Sequence, residues 1–180
     1  MKIEAASYDV PAEGYDELYG EEQLKKYELA FQELRISVRD LRIILDVGCA
    51  TGLLGEYLKK HEYEFSYVGI DKALDRLLAA KRKLEGCMLV QADAQSLPIR
   101  NESVDLAACI TVIHLLDLRQ AMKELRRVVR KAAIVSLLKK RLDLEPKLLQ
   151  IFSEDFGGWK MRRISASRVR DEIFLLSRRL

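Results

Sequence analysis

Ile44-Leu45-Asp46-Val47-Gly48-Cys49-Ala50-Thr51-Gly52 is an apolar run that breaks at an acid, passes through a glycine-bearing turn and opens into a helix. A strand, a turn and a helix in that order hold a nucleoside-bearing ligand at the carboxyl edge of a parallel sheet. Gly48 and Gly52 flank the turn. Without a side chain the backbone takes a tight path there, and a ligand can lie against it. The spacing Asp-x-Gly-x-x-x-Gly is neither the Gly-x-Gly-x-x-Gly dinucleotide fingerprint nor the Gly-x-x-x-x-Gly-Lys-Ser/Thr phosphate loop. Asp46 would repel a pyrophosphate and stabilise an amino group or a cation. The turn therefore leans away from dinucleotides and nucleoside triphosphates.

Outward from this turn, apolar runs at 41–47, 65–70, 87–90, 104–110 and 132–138 alternate with segments of helical length and period at 52–60, 72–84 and 118–129. Such runs fit strands buried on both faces. Their alternation with helices predicts a doubly wound parallel sheet with right-handed crossovers. Asp117 is expected to cap the third helix. Gln120 holds the capping-box position, and Leu118, Ala121, Leu125 and Val128 form the buried stripe.

Residues 15–36 also have helical spacing. Leu18, Leu24, Tyr27, Phe31 and Leu34 are expected on a broad buried face, with Glu21, Glu22, Lys25 and Lys26 in water. Beyond the core, 143–156 reads as a helix with Asp143 as its cap and Pro146 in its first turn. Gly157-Gly158 then breaks the chain, and 159–168 and 171–178 read as strands joined near Arg170-Asp171. The first is heavily charged, as a guarded edge strand should be. The expected fold is α/β: a doubly wound, mostly parallel seven-stranded sheet with helices on both faces and a C-terminal antiparallel edge hairpin. Residues 1–40 are expected to form a helical lid or cap, and residues 41–180 the ligand-binding domain.

At 180 residues and 49% hydrophobic content, the chain reads as one domain with a sizeable core. It has no run of ~20 apolar residues to span a membrane. Met1-Lys2-Ile3-Glu4 meets an acid too early for a secretory signal. Cys49, Cys87 and Cys109 lack metal spacing, so no metal is expected, and they read as reduced thiols of a cytoplasmic protein. The net charge of +3 hides an asymmetry. Residues 1–40 hold ten acids against five bases, and residues 139–180 hold eleven bases against six acids. The basic region fits either a surface that faces RNA or another anion, or a solvated surface without a partner.

Two further acids extend the site. Asp71 ends Tyr67-Val68-Gly69-Ile70-Asp71 about twenty residues past the glycine turn, where an acid accepts hydrogen bonds from both ribose hydroxyls. Asp93 follows the third apolar run and can hold the edge of an adenine, with the Ala94 amide beside it. The set Asp46-Val47-Gly48-Cys49-Ala50-Thr51-Gly52, Gly69-Ile70-Asp71, Ala92-Asp93-Ala94, Leu97-Pro98-Ile99 and Ser103-Val104-Asp105-Leu106 resembles class I S-adenosylmethionine-dependent methyltransferases of the seven-stranded kind. The resemblance spans roughly residues 41–138. It implies S-adenosylmethionine as cofactor and S-adenosylhomocysteine as product. It also implies contacts of Asp46 and Gly48 with the methionine part, Asp71 with the ribose and Asp93 with the adenine, and a mouth lined by 110–114. The implied cofactor-binding set is Asp46, Gly48, Cys49, Gly52, Asp71, Lys72, Asp93, Ala94 and Ile110. Where the family often has glycine this chain has Ala50, which is tolerable if that position needs no positive φ.

The acceptor is less legible. No Asn/Asp-Pro-Pro-aromatic segment follows the fourth strand, which disfavours methylation of base amines or glutamine amides; no DNA acceptor is expected. His114 is the candidate catalytic residue, either as a proton acceptor or as a wall of the mouth. Tyr8, Asp9, Tyr15 and Tyr19 fit either a lid whose tyrosines cap a bound cation or substrate, or a segment whose tyrosines are plain core and interface aromatics. Trp159-Lys160-Met161-Arg162-Arg163 fits either edge-strand protection or RNA stacking. With no large insertion, the chain suits a small-molecule acceptor, or a tRNA held with the help of an activating partner protein. The competing readings are a non-catalytic methyltransferase-like subunit and an NAD-dependent oxidoreductase.

Overall fold

The computed structural model describes residues 11–34, 36–37, 40–61 and 64–178. Tyr8 and Asp9 lie outside them. One sheet organises the chain, with strands β1 (Ile43–Val47), β2 (Ser66–Asp71), β3 (Met88–Gln91), β4 (Val104–Cys109), β5 (Val129–Leu138), β6 (Trp159–Ser165) and β7 (Asp171–Arg178). Their order is β3-β2-β1-β4-β5-β7-β6. The first five are mutually parallel, and β7 runs antiparallel to both β5 and β6. This is the expected seven-stranded sheet with its C-terminal edge hairpin. Where the order reverses, between β1 and β4, the crossovers leave in opposite directions and open a crevice at the strand carboxyl ends.

Alternation along the strands builds two cores. Leu45, Ala133, Val135, Phe174 and Leu176 face α4 (Leu118–Val128) and α5 (Glu145–Asp155). Ile44, Ala132, Ile134, Ile173 and Leu175 face α1 (Ala12–Glu33) and α2 (Leu53–Lys60). The helix α3 (Leu74–Lys83) packs against β2, β3 and α1, its Ala80 and the following Leu84 lying under Gly52. At the opposite end of the sheet the buried Asp105 accepts the Arg42 and Ile43 amides at 2.8 and 3.1 Å, which fastens β1 to β4. No described helix is long and apolar enough to cross a membrane.

Several local expectations are corrected. In α1, Leu18 is 61% exposed and Leu24 is 36% exposed, whereas Lys26 is only 1% exposed. The buried face instead runs through Lys26, Tyr27, Ala30 and Phe31. Asp143 does not cap α5, whose N-cap is Leu144; its carboxylate meets Arg141 at 3.1 Å. Asp117 does cap α4, accepting the Gln120 amide at 2.9 Å. The reciprocal half of the capping box is absent, because the Gln120 side chain donates to Gln95 O and the Asp117 amide donates to Gln95 Oε1.

The strand β6 is a guarded edge. Arg162 pairs with Glu33, and Arg163 with Glu145 and Glu172. Trp159 packs edge-on against Phe156 at 5.3 Å, and Arg126 and Arg178 lie against its ring. A ring so occupied has little face left for a base.

Candidate active site at the strand carboxyl ends

The crevice holds a cavity of about 1200 Å³, above the ~300–1,000 Å³ of a site for one small ligand. Its floor is the glycine turn. The Gly48 and Cys49 amides both donate to Ile70 O, at 2.7 and 3.0 Å. Gly48 has φ +77°, and a Cβ there would come within 2.4 Å of Val112 Cγ2. Gly52 has φ +82°, and its Cβ would reach 2.6 Å from Leu84 Cδ1. Both glycines are therefore required by conformation and by space. Ala50 also adopts a positive φ, +45°. The expectation that an alanine is easily tolerated there is overturned: the methyl sits in a left-handed conformation that costs an L-residue about 1–2 kcal/mol.

Asp71 holds that turn in place. Its Oδ2 accepts the Ala50 amide at 2.8 Å and its Oδ1 the Ala73 amide at 2.9 Å. A carboxylate has about four lone-pair directions, so two bonds leave acceptor capacity toward the cavity that Asp71 lines. Asp93 lines the same wall, with Oδ1 accepting the Gln95 amide at 2.8 Å and Lys72 Nζ 3.5 Å from Oδ2. That backbone bond holds the Asp93 carboxyl below the usual range. Over the opening, Arg76 lies 4.7 Å from the centre of the Tyr15 ring. Asp16 accepts from the Thr51 hydroxyl in the glycine turn and pairs with Lys83. The helix α1 is thus fastened to the turn that it covers.

Gly48, Asp71, Lys72, Asp93, Ala94, Ile110 and His114 come together in the lining. Asp46, Cys49 and Gly52 are not in it. They lie behind the turn: Asp46 is 5% exposed and accepts the Tyr67 hydroxyl at 2.6 Å. Burial pushes its carboxyl up to about 7, with Tyr67 opposing and Asp71 adding to the rise. Burial also drives the Cys49 thiol far above its ordinary value. Of 110–114, Ile113 is excluded, since it is 1% exposed and belongs to the α4 core.

The α1 side of the cavity carries a network that no sequence motif announces. Lys26 Nζ lies 2.9 Å from the Asp171 carboxylate and donates to Thr111 Oγ1 at 2.9 Å. Thr111 and Ser136 both donate to Asp171 Oδ2, at 2.9 and 2.6 Å, and Ser136 accepts the Thr111 amide at 2.8 Å. Thr111 has φ +64°, an outlier for a β-branched residue that persists only where its surroundings over-determine it. Here α1, β5 and β7 all hold it. Gln23, Thr111 and Lys26 line the cavity. His114 does so too, and burial brings its imidazole down to about 4, the Asp171 charge opposing. At neutral pH it is uncharged. Among the described residues no cluster of His, Cys, Asp or Glu is placed to hold a metal ion.

Residues 45–137 match the family model described as a methyltransferase domain. The chain belongs to that family. This domain is 30% identical over 106 residues to the ubiquinone/menaquinone biosynthesis C-methyltransferase of Campylobacter jejuni, covering 56% of this chain and 45% of that protein. It is 29% identical over 133 residues to the malonyl-[acyl-carrier protein] O-methyltransferase of Pseudescherichia vulneris, covering 73% and 51%. The chain thus spans about half the length of the curated relatives it matches. The fold recurs in the magnesium protoporphyrin IX methyltransferase of Synechocystis, solved with bound SAM, at TM-score 0.70 and 18% identity over 91% of this chain and 82% of that one. It recurs in a Haloferax volcanii methyltransferase solved with the Trm112 activator, at TM-score 0.74 and 12% identity over 96% of each chain.

Proposed function

We propose that the protein is an S-adenosylmethionine-dependent methyltransferase, with the cofactor lying across the carboxyl ends of β1, β2 and β3 and the acceptor entering from the side of α1 and β5. The observation that carries this reading is the Asp71 carboxylate. It faces the cavity with acceptor capacity left over, beside a turn at Gly48 that has no room for a Cβ. A ribose diol is the group such an acid reads, and Gly48 lines the same cavity.

In this reading Asp93 and the Ala94 amide hold the adenine, Lys72 flanks the ribose, and Gly48 and Ile110 line the methionine part. Asp46, Cys49 and Gly52 shape the turn from behind, and Asp46 acts on a cationic ligand through its field rather than by contact. When bound, S-adenosylmethionine would supply a sulfonium methyl for transfer to a nucleophile on the acceptor. The protein's part is alignment and exclusion of water. Tyr15 and Tyr19 on α1 roof the cavity, which supports a lid within residues 1–40 over a cofactor domain at 41–180. His114, held near 4, is a weak proton acceptor at pH 7, so its role is to shape the mouth and align the acceptor.

The acceptor class is a small molecule or tRNA. The intramolecular pairing of the β6 arginines supports the small molecule. The Haloferax volcanii neighbour, solved with an activator, supports an activating partner. The free cysteines, two of them buried, support a cytoplasmic protein. Calorimetric titration tests the cofactor. S-adenosylhomocysteine is expected to bind and NADH not, and Asp71→Ala is expected to weaken binding by about 10–100-fold, the value of hydrogen bonds to a charged group. Binding of NADH without S-adenosylhomocysteine would overturn the proposal.

A further inference from the structure

The cavity is larger than one cofactor needs, and its two halves differ in charge. Toward β1–β3 its lining holds Asp71 and Asp93 against Lys72 and Arg76. Toward α1 and β5 it holds Lys26, Lys139, Lys140, Arg141 and Arg170, with Glu22 as the one acid among the described lining residues. Most of these groups are already engaged. Lys26 pairs with Asp171. Lys139 Nζ donates to Ala166 O and Val169 O at 2.6 and 2.9 Å. Arg141 pairs with Asp143. Glu22 accepts the Arg170 amide at 2.6 Å.

Two cations remain, Lys140 and Arg170, both exposed and lining the cavity, with no carboxylate paired to either side chain among the described residues. They share one rim. The β5–β7 register ends at Leu138↔Asp171 and continues in the Lys139 amide, which donates to Arg170 O at 2.8 Å. A second observation concerns the same half. Gln23 and His114 both line it, and each carries a buried polar atom without a hydrogen-bond partner, Gln23 Oε1 and His114 Nδ1. Gln23 is 6% exposed. Buried polar atoms are nearly always satisfied, and orphans concentrate where a ligand completes the set. An uncharged His114 adds no cation, so it serves as a hydrogen-bonding partner for a polar group.

We propose that this half of the cavity is an acceptor site for a small acidic molecule, whose carboxylate or phosphate is held by Lys140 and Arg170 while a hydroxyl or N–H near the reacting atom meets Gln23 and His114. The inference rests on the methyltransferase reading and deepens it. An anion is the ligand for which a mobile ammonium and a planar guanidinium on one rim are suited. A charge held away from the reacting end also orients the nucleophile without a dedicated base.

The test is calorimetric titration of the full chain saturated with S-adenosylhomocysteine. The probes are 4-hydroxybenzoate, 4-hydroxyphenyl phosphate, the neutral 4-hydroxybenzamide and an unmodified tRNA, each run on the natural protein and on Lys140→Ala/Arg170→Ala. One of the two anions is expected to bind at least about tenfold tighter than the amide. The double variant should lose that preference while its S-adenosylhomocysteine affinity stays within about threefold of the natural protein's. Which anion leads names the source, carboxylate or phosphate. Equal binding of anion and amide, a preference that survives in the double variant, or no binding by either anion overturns the proposal. So does tRNA binding tighter than both. A fall in S-adenosylhomocysteine affinity in the double variant would reassign these cations to the cofactor's own carboxylate. Failure of the natural protein to bind S-adenosylhomocysteine refutes the cofactor reading instead, so the two failures are distinguishable.

Discussion

Ala50 sits in the glycine turn at φ +45°, with its amide donated to Asp71. Replacing it with glycine removes the left-handed penalty but enlarges the freedom of the unfolded chain, so Ala50→Gly is expected to stabilise by a net ~0.5–1 kcal/mol. A thermal melt reads this as a rise of about 1–4 °C for a domain of this size. The neighbouring Asp46 sets a pH dependence. Its folded pKa, about 7, lies above its ordinary value of 3.8, so between those values the native state binds more protons than the unfolded one. The stability this contributes is greatest below the ordinary value and is lost as pH rises through about 7. Relative to Asp46→Asn, whose amide oxygen still accepts from Tyr67, the natural protein should lose ~2–3 kcal/mol from pH 5 to 8. Urea midpoints at the two pH values measure it. A difference that stays flat from pH 5 to 8 would show that Asp46 is already ionised in the fold at pH 5. The turn and its acids were legible because strand, turn and helix are contiguous. The strain at Ala50 was not, since a backbone angle is not carried by residue type.

At the scale of elements, α1 shows how periodicity misleads. A helix with lysine and glutamate at 21, 22, 25 and 26 reads as wet on that side, and Leu18 and Leu24 read as core. Yet Lys26 is buried and those leucines are partly or largely exposed. The reason is Asp171, at the start of β7 and 145 residues later in the chain, whose carboxylate and the Thr111 hydroxyl receive the Lys26 ammonium. With that partner a lysine turns inward, and helix geometry rotates the leucines outward. Lys26→Met is expected to cost about 3–5 kcal/mol, because Asp171 is left charged and buried without its cation. Chemical denaturation checks the figure, and a loss under 1 kcal/mol would mean that the pair is held open to water. β6 and β7 were readable from their charge pattern and the breaks at Gly157-Gly158 and Arg170. The true start of α5 was not, since Asp143 found Arg141 before it could cap the helix.

Across the whole molecule, the reversal of strand order between β1 and β4 gathers the site. The carboxyl ends of five parallel strands reach one edge, so short motifs at 46–52, 71 and 93 converge although they lie far apart in the chain. Because the cavity is built from all of them, ligand binding should stabilise the domain as a unit. S-adenosylhomocysteine at 100 times its Kd is expected to add ~2.7 kcal/mol, a rise in Tm of about 5–10 °C, whereas NADH should leave Tm unchanged.

The sequence by itself determined the alternation of strands and helices, the antiparallel edge and the acids, Asp71 and Asp93, that line the cavity. Each of these is written locally, as a run, a spacing or a residue at a strand end, and the parallel sheet brings strand ends together whatever else happens. Only the tertiary structure decided the network on the α1 side of the cavity. Lys26, Thr111, Ser136 and Asp171 come from α1, the loop after β4, β5 and β7, and their meeting has no period and no spacing. It depends on how α1 lies across the sheet. The partners of Lys139 and Arg141, and hence the two cations left without a carboxylate, follow from the same packing. The chemistry proposed to hold the methyl donor is therefore local in the chain, and the chemistry proposed to select the acceptor is not.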